Sequence, residues 1–342
     1  MNTAPKNGRI LVLGAGNFGT CLACHLADQG WNIDLWTRSK TLIESINSEH
    51  KNPKYLSTIT LAPTIRAINH IKHEAINNYA AIVIAVPMQA VRDVLKPIAQ
   101  HLDTRPLLIS TVKGIEISSA AFPLDVIAEI CGKEIADRAV VLSGPSFAIE
   151  IAQKLPTAVV AASKTLERAE AVQRIFHSSF FRVYTSDDPI GLEVAGALKN
   201  VIAIAAGASV GLGLQMNSIA ALITRGLAEV TRIGVRLGAN PLTFQGLGGV
   251  GDLLLTCSSP KSRNYSLGHK LGQGMTIHEA LASLGSVAEG FTTAKAAHRL
   301  TKNLNVEMPI SEQVYQVLYE NKPVRDAFID LINRDAKAEF TV

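Results

Sequence analysis

From Arg9 the chain reads RILVLGAGNFGTCLACHLADQGWNIDLWTRS. An apolar run leads into a glycine-rich turn, an alanine-rich segment follows, and a second apolar run begins near Asn32. The pattern predicts strand, helix and strand, one βαβ unit of about 30 residues. AAIVIAVP and PLLISTVKG are further continuous apolar runs with β-branched residues, as in strands buried on both faces of a parallel sheet. AVVLSGPSF, TAVVAAS and FFRVYTS are expected to extend that sheet.

After TSDDPIG the pattern changes. From Leu192 onward long helical patterns replace the strand-like runs, with breaks at Gly238 to Pro241, at Ser258 to Pro260 and near Pro309. Asp187 and Asp188, just ahead of Pro189, are read as the cap of the first of these helices and are given no catalytic role. The predicted fold is α/β: a doubly wound, parallel-sheet nucleotide domain over residues 1–189, then an all-helical substrate domain over residues 190–342. No internal repeat or low-complexity tract interrupts it, and only the last few residues are expected to be disordered.

Charge and composition narrow the function. The net charge is +4, and the basic residues are scattered among acidic ones. That favours anionic small-molecule ligands and argues against nucleic acid. The opening MNTAPKNGR lacks the charged start, apolar core and cleavage site of a secretory signal, so a cytoplasmic protein is expected. LEVAGALKNVIAIAAGASVGLGL comes nearest to the length of a membrane span, but Lys199 and Asn200 interrupt it, and a buried helix without membrane insertion is the reading adopted. Cys21, Cys24 and His25 spell the C-x-x-C-H of covalent haem attachment. That chemistry goes with export, and these residues fall inside the first predicted helix, so buried reduced thiols are expected instead. A second cysteine pair for zinc is missing and the histidines lack ligand spacing, so no metal is assigned.

GAGNFG places Gly14, Gly16 and Gly19 at G-x-G-x-x-G spacing between a strand and a helix. In that context the hexapeptide is a dinucleotide fingerprint of Rossmann type: a tight turn, a close backbone approach to pyrophosphate, and close helix–strand packing. The second strand ends in Trp36, Thr37, Arg38 and Ser39, with no carboxylate for a ribose hydroxyl, and Asp34 comes too early. Arg38 and Ser39 suit a 2′-phosphate, so NADP(H) is favoured and NAD(H) is kept as possible. Arg38 as a solvated residue, or one stacked on adenine, stays open.

Three polar insertions suggest a second site. Lys113 closes the apolar run STVKG, where a parallel strand ends at the ligand crevice. Lys199 is embedded among Ala, Gly, Val and Ile, a costly placement unless it is paired or its pKa falls. Asp252 and Thr256, four apart, share a helix face. Ser262, Arg263 and Asn264 close the same segment with donors suited to a phosphate.

GAGNFG, STVKG, SGPSFA, GALKNVIAI, GVGDLLLTC and KSRN, in this order and spacing, resemble the bacterial NAD(P)-dependent sn-glycerol-3-phosphate dehydrogenases. The likeness runs essentially the full chain, to EMPI and QVLY. It implies interconversion of dihydroxyacetone phosphate and glycerol 3-phosphate, feeding glycerophospholipid biosynthesis. Carried over by motif, it implies cofactor contacts at Asn17, Phe18, Arg38, Lys113, Ala148, Arg263, Val287 and Glu289. It implies substrate contacts at Lys113, Gly144, Ser146, Lys199, Asp252, Ser262, Arg263 and Asn264, with Lys199 as proton donor or acceptor. Asn17 and Phe18 stand where Ser and Tyr are common, Arg38 where His is common, and Met88 and Gln89 replace a Ser-His pair after Pro87. The chemistry agrees: an ammonium beside a ketone oxygen stabilises the charge that hydride addition builds there. Desolvation and Lys113 would lower the pKa of Lys199, Asp252 would oppose them, and Thr256 would orient the group. A homodimer is expected. A two-domain hydroxy-acid reductase and a non-catalytic NADP(H) sensor are the rival readings.

Overall fold

The computed structural model describes residues 8–285, 287–336 and 338–339. The readings made on the opening residues before Gly8 and on the final residues from Phe340 lie outside that description.

Eight strands form one sheet: β1 (Arg9–Leu13), β2 (Asn32–Trp36), β3 (Ile65–Ile68), β4 (Ala81–Ile84), β5 (Leu107–Ser110), β6 (Val140–Ser143), β7 (Thr157–Ala162) and β8 (Phe181–Ser186). Their order is β3-β2-β1-β4-β5-β6-β7-β8. Between them lie α1 (Asn17–Asp28), α2 (Lys40–Glu49), α3 (Val91–Ala99), α4 (Pro123–Cys131), α5 (Lys133–Asp137), α6 (Ala148–Ala152) and α7 (Leu166–Phe176). Strand alternation distributes the core to both faces. Ile10 and Val12 join the cluster built with α1, α2, α6 and α7. Leu11 and Leu13 join the opposite cluster with α3, α4 and α5. The sheet is therefore doubly wound, and the order reverses between β1 and β4, which opens a crevice at their C-terminal ends.

Two features depart from the sequence reading. The short strand β3 was not anticipated, because four residues with exposed Arg66 among them give no continuous apolar signal. The sheet is also not wholly parallel: β7 runs antiparallel to β6. The five residues of α6 span about 7.5 Å at 1.5 Å per residue, too little to carry the chain back to the start of β6. β7 therefore begins where β6 ends and returns alongside it.

The second half is helical: α8 (Pro189–Gly211), α9 (Met216–Arg236), α10 (Asp252–Cys257), α11 (Arg263–Gly272), α12 (Ile277–Ser283), α13 (Glu289–Leu304), α14 (Pro309–Tyr319) and α15 (Val324–Ile332). Asp188 caps α8 through Oδ1, which accepts from Gly191 N at 2.9 Å. The helix is long and apolar enough to cross a membrane, yet it is mostly buried within the protein. A Cβ on Gly268 would stand 1.9 Å from Ile204 O, so α11 packs backbone against backbone on α8. The small residues of the apolar run serve that contact.

Cys21 and His25 are buried on α1, and His25 Nε2 meets Phe176 O at 2.6 Å. Burial pushes the Cys24 thiol up to about 12, so it is a poor nucleophile and ligand. These residues are core.

Candidate active site

Gly14 adopts φ +115°, donates its N–H to Trp36 O at 3.0 Å, and would place a Cβ 2.6 Å from Ala85 O. A Cβ on Gly19 would meet Gly14 O at 1.9 Å. Packing thus accounts for both glycines. Gly16 differs: its φ is −74° and nothing lies within 4 Å of a Cβ placed there. The fold alone does not require glycine at that point, whereas a pyrophosphate lying on the backbone does. The first turn of α1 carries no side-chain cap and no acidic residue, which leaves its N–H groups to an anion. Asn17 and Phe18 open this helix. The residues present therefore fit a nicotinamide dinucleotide.

At the far end of this crevice, Asp34 sits in mid-strand with both oxygens engaged, by Arg9 at 2.7 Å and by the Tyr79 hydroxyl at 2.7 Å. Arg38 is exposed, and among the described residues its guanidinium has no protein partner. Ser39 is the N-cap of α2, its Oγ accepting from Leu42 N at 3.4 Å. Arg38 is a cationic group at this end.

The lysines converge between the two halves. Lys113 follows β5, and its Nζ donates to Asp252 Oδ2 at 2.8 Å and to Gly144 O at 3.2 Å. Lys199 Nζ donates to Asp252 Oδ1 at 2.6 Å and to Thr256 Oγ1 at 2.8 Å. Thr256 spends its own proton on Asp252 O at 2.6 Å, so toward Lys199 it acts as an acceptor. One carboxylate, 1% exposed, thus bridges two ammonium groups. Two N–H bonds of Lys199 are spoken for and a third remains for a ligand oxygen. Burial lowers the pKa of Lys199 most, Asp252 opposes this, and Lys113 lowers it again, which brings it down to about 8.

Backbone geometry makes this convergence possible. Ahead of α10, Leu247–Gly251 forms a π turn, a local widening often found at functional sites. A Cβ on Gly248 would lie 2.1 Å from Leu192 Cδ2, so glycine lets this turn press closely onto α8, next to Asp252. Gly196 faces the Lys113 stem, with a virtual Cβ 3.4 Å from Lys113 Cγ.

Asn200 is the residue the sequence reading passed over as a mere polar neighbour. Its Nδ2 donates to Lys113 O at 3.4 Å, and its Oδ1 accepts from Asn264 Nδ2 at 2.8 Å. Asn264 Oδ1 in turn accepts from Gly290 N at 2.9 Å. This chain joins the Lys113 loop, α8, α11 and the start of α13. A second polar residue directly after an embedded lysine was the available signal. Glu289 opens α13, and its Oε1 accepts from Met88 N at 3.3 Å. Its other oxygen is buried with no hydrogen-bond partner among the described residues, and burial raises its pKa.

The remaining candidates fall around this centre. Ser146 Oγ donates to Gly144 O at 2.9 Å, and Ala148 opens α6. Ser262 caps α11, its Oγ accepting from Tyr265 N at 3.2 Å. Arg263 is exposed, and its charge reaches Glu289. Val287 is 52% exposed, ahead of α13. Arg38 stands apart from the lysines, at the end of β2. Among the described residues no group of three His, Cys, Asp or Glu side chains is placed to hold a metal.

Comparison with known proteins gives a consistent assignment. Residues 9–169 match the family model described as NAD-dependent glycerol-3-phosphate dehydrogenase N-terminus, and residues 188–329 match its C-terminus. A glycerol-3-phosphate dehydrogenase [NAD(P)+] of Geobacter sulfurreducens is 48% identical over 331 residues, covering 97% of this chain and 98% of the relative. The crystal structure of glycerol-3-phosphate dehydrogenase from Coxiella burnetii superposes with a TM-score of 0.90 at 35% identity, covering 96% of this chain and 99% of the other. A ketopantoate reductase from Ralstonia eutropha JMP134 reaches a TM-score of 0.57 at 13% identity over 95% of this chain and 100% of its own, a likeness of fold alone.

Proposed function

The chain belongs to the NAD-dependent glycerol-3-phosphate dehydrogenase family and interconverts dihydroxyacetone phosphate and glycerol 3-phosphate; we propose that Lys199 is its proton donor and acceptor. The observation that carries this reading is the Lys199 ammonium held by Asp252 and Thr256, with one N–H left over, in the cleft between the cofactor crevice and the helical half. When bound, the nicotinamide dinucleotide supplies hydride to the substrate carbonyl carbon, or takes it back. Lys199 gives a proton to the carbonyl oxygen in reduction and takes it from the hydroxyl in oxidation. Lys113 adds a fixed positive charge where negative charge builds up, and Asp252 keeps both cations in place. Ser262, Arg263 and Asn264, with Ser146 and the Gly144 backbone, hold the substrate phosphate.

A pKa near 8 sets the pH response. Reduction needs the ammonium, so its kcat/KM falls as pH rises through about 8. Oxidation needs the free amine, so its kcat/KM rises through the same region. Initial rates measured in both directions against pH are expected to give mirror-image limbs. Limbs of the same sense in both directions would take the proton away from Lys199.

Arg38 supports a preference for NADP(H), because an exposed guanidinium at the end of β2, unpartnered among the described residues, suits a 2′-phosphate. Arg38→Ala is expected to raise KM for NADPH about tenfold while changing KM for NADH less than about twofold. Equal losses for the two cofactors would remove this assignment. The same reading makes the protein a cytoplasmic homodimer that supplies glycerophospholipid synthesis.

A further inference from the structure

The loop that follows β6 lies along the helical half from the floor of the cleft to its mouth. At the floor, Lys113 ties Gly144 O to the buried Asp252. Higher up, Pro145 Cγ stands 3.7 Å from where a Cβ of Gly251 would be, an apolar contact. At the mouth, Lys261 Nζ meets Glu150 Oε1 at 2.7 Å and lies 5.8 Å from the Phe147 ring centroid. Lys261 belongs to the helical half and directly precedes Ser262, Arg263 and Asn264. Glu150 and Phe147 belong to the nucleotide half and flank Ala148. The pair thus spans the two walls between which the candidate phosphate donors lie. Its side chains are 53% and 33% exposed, so it is screened by salt and weak enough to break in each turnover.

We propose that Lys261 and Glu150 are positioning residues: their ion pair across the cleft mouth draws the Ser262–Asn264 donors toward the Ser146–Ala148 loop and so retains the substrate phosphate. The proposal rests on the phosphate site described above. Neither residue takes part in proton transfer, so the pair acts on substrate retention and leaves the chemical step alone. Opening the mouth separates Lys261 from Glu150, and closing it over a phosphate restores the pair.

Two opposite substitutions separate a latch from simple attraction. If Lys261 merely attracted an anionic substrate, Lys261→Met would raise KM and Glu150→Gln would lower it. A latch predicts that each raises KM for dihydroxyacetone phosphate about threefold at low ionic strength, with kcat little changed. In about 0.5 M salt the difference from the native enzyme should vanish. The charge-exchanged double variant Lys261→Glu with Glu150→Lys is expected to recover most of the loss. Shifts of opposite sign in the single variants, or no shift in either, would overturn the proposal. Arg263→Ala distinguishes this failure from failure of the phosphate site. It is expected to raise KM for the phosphorylated substrate far more than either latch variant, so a normal KM there removes the phosphate site and the latch with it. A large Arg263 effect beside silent Lys261 and Glu150 variants removes the latch alone.

Discussion

Lys199→Met is expected to reduce kcat for dihydroxyacetone phosphate reduction by about 10³-fold, within the range that general acid catalysis contributes, while leaving the cofactor affinity near native. Methionine fills a similar volume and removes the charge from a position 9% exposed, so the fold is not expected to suffer. Stability is expected to stay near native, because Lys113 still pairs with Asp252 once the buried ammonium is gone. Loss of rate with retained folding and cofactor binding separates the proton donor from a structural lysine. Cofactor titration and thermal unfolding alongside the kinetics supply that separation. A variant that keeps more than about a tenth of native kcat would assign the proton to another group.

Asp252→Asn is expected to lower kcat about 10²-fold or more and also to destabilise the protein. The carboxylate accepts from both Lys113 and Lys199, and an asparagine leaves two cations facing each other without a counter-charge. Lys199 responds by losing its proton more readily, since Asp252 is what raises its pKa against burial. Its folded pKa then lies still further below the value in the unfolded chain. For a depressed lysine the unfolded state binds more protons between the two values, so stability rises with pH across that window. The destabilisation of Asp252→Asn relative to the native protein should therefore be greatest below the variant's folded pKa and shrink up to about 8, the native folded value, above which both proteins gain stability with pH alike. Thermal unfolding at both ends of the window tests the sign. A loss of stability that is independent of pH would mean that Asp252 acts by packing alone.

The two halves differ in how openly the sequence carries them. Strands such as Ile10–Leu13, buried on both faces, announce themselves as unbroken apolar runs, and an embedded Lys199 betrays the site because apolar surroundings make it conspicuous. Gly16 stands out because it belongs to a fixed motif and opens α1. Less visible was whatever depends on geometry across the fold. The return of β7 against β6 follows from the length of α6, which composition does not encode. Asn200 gains its importance only because α11 brings Asn264 within 2.8 Å. The π turn before Asp252 appears in the sequence merely as a run of glycines, since its meaning lies in the close approach to Leu192. The Lys261 and Glu150 pair joins residues 111 positions apart, and nothing local to either suggests the other.

The measurement that bears most directly on the account is the initial rate of NADPH oxidation with dihydroxyacetone phosphate and with unphosphorylated dihydroxyacetone, for the native protein and for Lys199→Met. The account predicts rapid turnover for the native protein with the phosphorylated ketone, a kcat/KM lower by at least about 10³ without the phosphate, and near abolition of both by Lys199→Met. Comparable native turnover of the two ketones, or a Lys199→Met variant as active as the native protein, would contradict it.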